Sequence, residues 1–171
     1  MFRSLHLRLL ESTLDALDRA AVRCRPHRAA HFITGSRGER AAIFWLRRRG
    51  YTVVAHAWRS ARAPGDLDLI AWTATPPANR SANPSAQSSG NPPQPTLCFV
   101  EVKTRTTRAV APAHLAVDED KRRTLRRLAR HYLRQLPSRD LPTRFDILSI
   151  YFEKDKPAAF EHFPGAFGWQ E

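Results

Sequence analysis

Asp68, Glu101 and Lys103 are the residues of this chain whose types and spacing could do chemistry. They sit in the segments Gly-Asp-Leu-Asp-Leu-Ile (65–70) and Cys-Phe-Val-Glu-Val-Lys (98–103). Both segments are short, β-prone and flanked by turn residues, the pattern of strands covered on both faces. An ionised side chain in such a strand is costly unless it is paired or bound to a metal. Alternation along a strand sends Glu101 and Lys103 to one face with Phe99, and Cys98, Val100 and Val102 to the other. The same rule puts Asp66 and Asp68 on one face, opposite Leu67 and Leu69. Two carboxylates and an ammonium on adjacent strands make a hard-oxygen site for Mg²⁺ or Mn²⁺ with a lysine beside it. Those are the parts of metal-assisted phosphodiester hydrolysis. The competing reading of Glu101 and Lys103 is an ordinary ion pair on an exposed strand.

The elements that must position these groups follow from periodicity. A helix is expected from Ser36 to Arg49 with Gly50 as its stop, then a strand from Tyr51 to Trp58. A basic turn through Arg59, Arg62, Pro64 and Gly65 leads into the Asp68 strand. Glu39 lies on the apolar side of the first of these helices, three, four and seven positions before Ala42, Ile43 and Leu46. Ser36-x-x-Glu39 also spells a capping box, so Glu39 is either a site residue or a cap. A second helix is expected from Asp118 to about Leu136, its start acidic as the helix dipole prefers and its buried stripe formed by Leu125, Leu128, Ala129, Tyr132, Leu133 and Leu136. Lys121, one turn before Leu125, either looks toward the site and holds a phosphate or is a solvated residue at a frayed start. Arg144 to Phe152 reads as a buried strand parallel to the Glu101 strand, with Arg144 and Asp146 paired in support of the sheet. Phe160, His162, Phe163, Phe167 and Trp169 are expected to close a sheet edge.

The remaining segments are organisational. Residues 1–34 form an N-terminal extension whose first 25 residues are an amphipathic helix carrying Leu7, Leu10, Leu14, Leu17 and Ala21. That helix either binds a partner or a second copy, giving a homodimer, or docks on its own domain. Cys24, His27 and His31 are a chance cluster, because Pro26 breaks the helix that would align them. Residues 35–165 are one α/β domain, and 166–171 a C-terminal tail. Residues 73–96 hold six of the thirteen prolines and no large hydrophobic residue, so this insertion is expected to be disordered and free of catalytic residues.

Twenty-eight Lys and Arg against sixteen Asp and Glu give a net charge of +12, and the charge is clustered. Arg37, Arg40, Arg47, Arg48 and Arg49 crowd one segment, and Lys121, Arg122, Arg123, Arg126, Arg127, Arg130 and Arg134 another. Arginine suits bidentate phosphate contacts, so the expected partner is nucleic acid, DNA in preference to RNA, with Arg105, Lys121, Arg122, Arg126, Arg127 and Arg130 as contacts. An acidic membrane surface is the weaker alternative. No run of eighteen apolar residues spans a membrane, and Glu11, Asp15 and Asp18 interrupt any signal-peptide core. Two cysteines make no disulfide framework, which fits a cytoplasmic protein.

Asp68 followed by Glu101-Val102-Lys103 resembles the PD-(D/E)xK signature of restriction-endonuclease-like nucleases. Gly38-Glu39, Gly50-Tyr51, Gly65 to Ile70, Phe99 to Arg105, Lys121 and Arg144-Phe145-Asp146 stand in the order and rough spacing of the YraN-like family, over about residues 35–165 without the insertion. That family is uncharacterised, is predicted to comprise endonucleases, and is similar to archaeal Holliday-junction resolvases. The resemblance implies a restriction-endonuclease-like three-layer core, a mixed β-sheet flanked by helices. It also implies a metal held by Asp68, Glu101, the carbonyl of Val102 and Glu39, with Lys103 on the attacking water. Gly-Asp-Leu-Asp stands here where the family usually has Gly-Glu-Ile-Asp, and 106–117 lacks the family's usual glycine. The rival functions are a nucleic-acid-binding module of the same fold that does not cleave, and an accessory protein recruited through its N-terminal helix.

Overall fold

The structure, a computed structural model, describes residues 13–14, 30–73, 95–107, 117–138 and 141–170, with side chains from residue 35 onward in the second of these stretches. The N-terminal amphipathic helix, the Cys24, His27 and His31 cluster and the body of the 73–96 insertion lie outside the described residues and side chains. The elements run α1 (Ala30–Arg48), β1 (Thr52–Ser60), β2 (Ala63–Thr73), β3 (Thr96–Arg105), α2 (Glu119–Leu133), β4 (Thr143–Tyr151) and β5 (Ala159–Phe167). The five strands form one mixed sheet in the order β1-β2-β3-β4-β5. Only β3 and β4 are parallel, and the chain passes from one to the other through α2.

The sheet is covered on both faces, which is why its central strands read as apolar runs. On one face, Leu67, Ile70, Leu97, Phe99, Phe145 and Ile147 pack under Leu125, Leu128 and Ala129 of α2. On the other, Leu69, Cys98, Val100, Leu148 and Ile150 pack under Ala42, Trp45 and Leu46 of α1. This is the three-layer α/β core of the restriction-endonuclease-like class. Asp118 caps α2 by accepting the Lys121 amide at 2.8 Å, so the acidic start has a local function as well as an electrostatic one.

Several elements depart from the sequence reading. α1 starts at Ala30, so Ser36 and Glu39 lie inside the helix and no capping box exists. Gly38 is buried against Thr104 of β3, where a Cβ would have no room, and this close contact brings α1 down onto the strand that carries Glu101. The turn between β1 and β2 is only Ala61 and Arg62; Pro64 and Gly65 belong to β2. Gly65 has φ 94, a conformation that disfavours any side chain, and a Cβ there would also crowd Thr124 of α2 at 3.0 Å. β5 runs through Phe167, and Trp169 packs on the core, so a boundary at residue 165 would cut an element of the domain. Among the described residues, no helix is long and apolar enough to cross a membrane.

Arg144 and Asp146 form the buried ion pair expected of them, with Nε to Oδ1 at 2.8 Å. The Asp146 carboxylate also accepts from His162 at 2.9 Å and from the Gly165 amide at 3.0 Å, while Arg144 donates to Tyr51 at 2.7 Å. Burial alone would raise the Asp146 pKa, but the hydrogen bonds from His162 and Arg144 outweigh it and hold the carboxyl below its ordinary value. The network ties β4 to β5 and to the chain leaving α1, on the α1 face of the sheet.

Candidate active site

The β2–β3 ladder pairs Thr73 with Thr96 and continues to Leu69 opposite Val100, where it ends. The next residue on each strand is Asp68 and Glu101. Beyond that point the amide of Val102 is met by the Asp68 side chain, whose Oδ2 accepts it at 2.7 Å. The carboxylate thus takes the place of a ladder bond, and Asp68 and Glu101 are brought side by side.

Glu101 is 3% exposed, and its Oε1 lies 2.9 Å from Lys103 Nζ and 3.1 Å from Lys121 Nζ. Lys103 reaches it from the same strand face, as alternation predicts, and Lys121 from the first turn of α2. Glu101 Oε2 is buried and has no hydrogen-bond partner among the described residues. A buried carboxylate oxygen left bare is expensive. Asp68 is in an environment that opposes its charge. Burial and the Glu101 charge push its carboxyl up, the Val102 amide and Lys121 draw it back, Glu39 adds a further push, and it stands at about 7. Burial alone would lower the Lys121 pKa, but Glu101 and Asp68 raise it above the ordinary lysine value, so Lys121 is an ammonium.

Glu39 projects from α1 and pairs with His56 of β1, Nε2 to Oε2 at 2.6 Å. It is near enough to act on Asp68 through its charge. Among the described residues, no three His, Cys, Asp or Glu side chains stand close enough together to hold a metal ion. The assembled set is therefore Asp68, Glu101, Lys103 and Lys121, with Glu39 at one remove on His56. Val102 contributes its amide to Asp68. Asp66 is turned to Arg59 at 3.2 Å.

The basic residues divide. Arg126, expected at a phosphate interface, is instead 4% exposed and bonded to Glu119 at 2.6 Å, the Gly168 carbonyl at 2.9 Å and the Gln170 carbonyl at 3.0 Å. It clamps the C-terminal segment onto α2 and is not a surface contact. Arg122 is half-buried, 3.8 Å from Glu119. Arg127 and Arg130 are exposed on α2, and Arg105 lies partly buried at the end of β3.

His56 was missed by sequence reasoning. An unbroken alternation would place it on the same face as Trp58. In β1, Ala57 has φ 48, which reverses the facing: Trp58 packs with the α2-side core and edge-on to Tyr132 at 5.3 Å, whereas His56 meets Glu39 on α1. An alanine carries no signal of such a backbone.

Residues 38–150 match the model of the uncharacterised protein family UPF0102. The chain is 41% identical over 157 residues to a UPF0102 protein of Koribacter versatilis, covering 92% of this chain and 89% of that one. It is 35% identical to one from Solibacter usitatus, covering 82% and 90% of the two chains, and 34% identical to one from Porphyromonas gingivalis, covering 81% and 87%. With a matched segment that holds every residue of the assembled set, the chain belongs to family UPF0102, the YraN-like family.

Proposed function

We propose that the chain is a divalent-metal-dependent endonuclease that hydrolyses phosphodiester bonds in nucleic acid, DNA in preference to RNA. The observation that carries this reading is the pair Asp68 and Glu101 at the splayed end of the β2–β3 ladder. One of these carboxyls stands at about 7 and the other keeps a buried oxygen bare, beside two ammonium groups. Two hard-oxygen groups, one opposed by burial and a neighbouring carboxylate and the other with an oxygen left without a partner, fit Mg²⁺ or Mn²⁺. Asp68, Glu101 and the Val102 carbonyl would hold the ion, with Glu39 joining them. When bound, such an ion polarises the phosphate and makes bound water more acidic.

The chain's own residues do the rest. The Val102 amide orients Asp68, so the carboxylate is set before substrate arrives. Lys103, held at the site by Glu101, directs its ammonium at the attacking water and at charge developing on the phosphoryl oxygens. Lys121, fixed by the capped start of α2, offers a second ammonium to the phosphate. Arg127, Arg130 and Arg105 contribute backbone contacts that release counterions.

The test is a cleavage panel on branched, single-stranded and duplex DNA and on RNA, with Mg²⁺ or Mn²⁺, beside Glu101→Gln. Metal-dependent cleavage lost in the variant supports the proposal. Absence of Mn²⁺ binding by the unaltered protein, or cleavage undiminished in Glu101→Gln, refutes it. One observation favours a second reading, a nucleic-acid-binding module that does not cleave: Lys103 and Lys121 already neutralise Glu101. Salt-dependent binding with no cleavage of any substrate would select it.

A further inference from the structure

We infer that His56 is a positioning residue of the proposed site: it fixes the direction of the Glu39 carboxylate, which stands at one remove from Asp68 and Glu101 and would be the further ligand of a divalent cation held there. The inference rests on the reading above and adds a residue to it. Glu39 and His56 meet at 2.6 Å. A carboxylate only accepts, so His56 Nε2 donates, and one bond to one oxygen orients the group while leaving the other for a cation. The two side chains are 28% and 49% exposed, and a pair so exposed does little for stability. Its geometry therefore calls for another explanation.

That geometry is set by the backbone. Ala57, at φ 48, lies between the pairs His56–Leu69 and Trp58–Leu67, hence on β1 opposite Asp68 of β2. Strained residues of this kind persist where the surrounding structure needs them, and they cluster at functional sites. The reversal at Ala57 lets β1 bury Trp58 under α2 and still deliver His56 to α1. On the helix side, the packing of Gly38 on Thr104 fixes the backbone beside Glu39 against the strand of Glu101. With both backbones set, the His56 bond decides where the Glu39 carboxylate stands.

The experiment is a Mn²⁺ titration of the full chain by calorimetry, for the unaltered protein, His56→Ala, His56→Gln, Glu39→Gln and the double variant Glu39→Gln with His56→Ala. His56→Ala is expected to weaken Mn²⁺ binding about 10-fold, the usual cost of removing a partner that orients a ligand. His56→Gln, which keeps a donor, should recover most of that loss, and in the Glu39→Gln background the alanine change should add nothing. Thermal unfolding of each metal-free variant shows that the fold is kept. If the unaltered protein binds no Mn²⁺, the proposed function itself fails. If it binds and His56→Ala binds equally well or more tightly, only the role of His56 is overturned, and the reversal at Ala57 serves Trp58 alone.

Discussion

Replacing Asp68 by asparagine should stabilise the metal-free protein above neutral pH. Burial and the Glu101 charge hold the Asp68 carboxyl at about 7, against an ordinary value of 3.8. A group that keeps its proton more tightly when folded contributes stability that is complete below its unfolded pKa and is lost as pH rises to the folded pKa. The window therefore runs from near pH 4 to near pH 7, and above it the ionised carboxylate opposes folding. At about 1.4 kcal/mol per unit, a rise of roughly three units corresponds to about 4 kcal/mol. Part of that belongs jointly to Glu101, and Asp68 is partly open to water, so about 2 kcal/mol is expected from Asp68 itself. Asparagine keeps an oxygen for the Val102 amide, so the variant should be more stable by about 2 kcal/mol near pH 8 and equal to the unaltered protein near pH 4. Urea denaturation at several pH values measures this. Asp146, held below its ordinary value, titrates in the opposite sense, so the difference between the two proteins is the quantity to read. A variant that is less stable near pH 8, or a difference that does not change with pH, would refute the reasoning. Added Mn²⁺ should reverse the order by stabilising only the protein that keeps the carboxylate.

The clamp on the C-terminal segment predicts that Arg126→Ala costs about 1 to 2 kcal/mol in urea denaturation, because it removes the packing and the hydrogen bonds of a buried guanidinium, while Glu119, Gly168 and Gln170 are open enough to be solvated in its place. Arg127→Ala should change stability by less than about 0.5 kcal/mol, and Arg130→Ala should cost up to about 1 kcal/mol because its guanidinium lies 5.6 Å over the Trp169 ring. The same pair should lower the slope of log affinity against log salt by about 0.9 for each phosphate no longer neutralised, as read by fluorescence anisotropy on DNA. Ala57→Gly should raise stability by about 1 kcal/mol, since a left-handed backbone costs an alanine about that much and glycine almost nothing.

The fold was legible where burial set the pattern and obscure where special residues were tolerated for tertiary reasons. The β2, β3 and β4 strands are apolar runs between turns, and their buried faces leave one assignment. The parallel step from β3 to β4 followed from the α2 helix between them. Pro64 suggested a loop, yet it lies where β2 has only β1 beside it, because the β3 ladder begins at Leu69, and there a missing amide costs no bond to β3. Pro164 and Gly165 concealed β5 in the same way, since β5 pairs with β4 alone. The capping-box spacing of Ser36 and Glu39 made Ser36 look like a helix start, although the helix runs through both from Ala30.

The site divides along the same line. Glu101 and Lys103 could be placed together because strand alternation is a local rule, and Lys121 because helical spacing put it beside the buried stripe; at Asp68 the alternation breaks, since Leu67 packs under α2 and Leu69 under α1 instead of sharing the face opposite Asp68. Arg126 was misplaced because its partners, the carbonyls of Gly168 and Gln170, are 42 and 44 residues away, and helix periodicity cannot report a tail folded back on the helix. His56 was invisible for a different reason: its direction depends on one alanine in a left-handed conformation, a choice that the tertiary packing of Trp58 and α1 imposes on a residue with no preference for it. Charges buried by a regular strand can thus be assigned from sequence. A side chain aimed by an irregular one becomes assignable only when both neighbours of the irregularity are seen in contact, as His56 is with Glu39 and Trp58 with Tyr132.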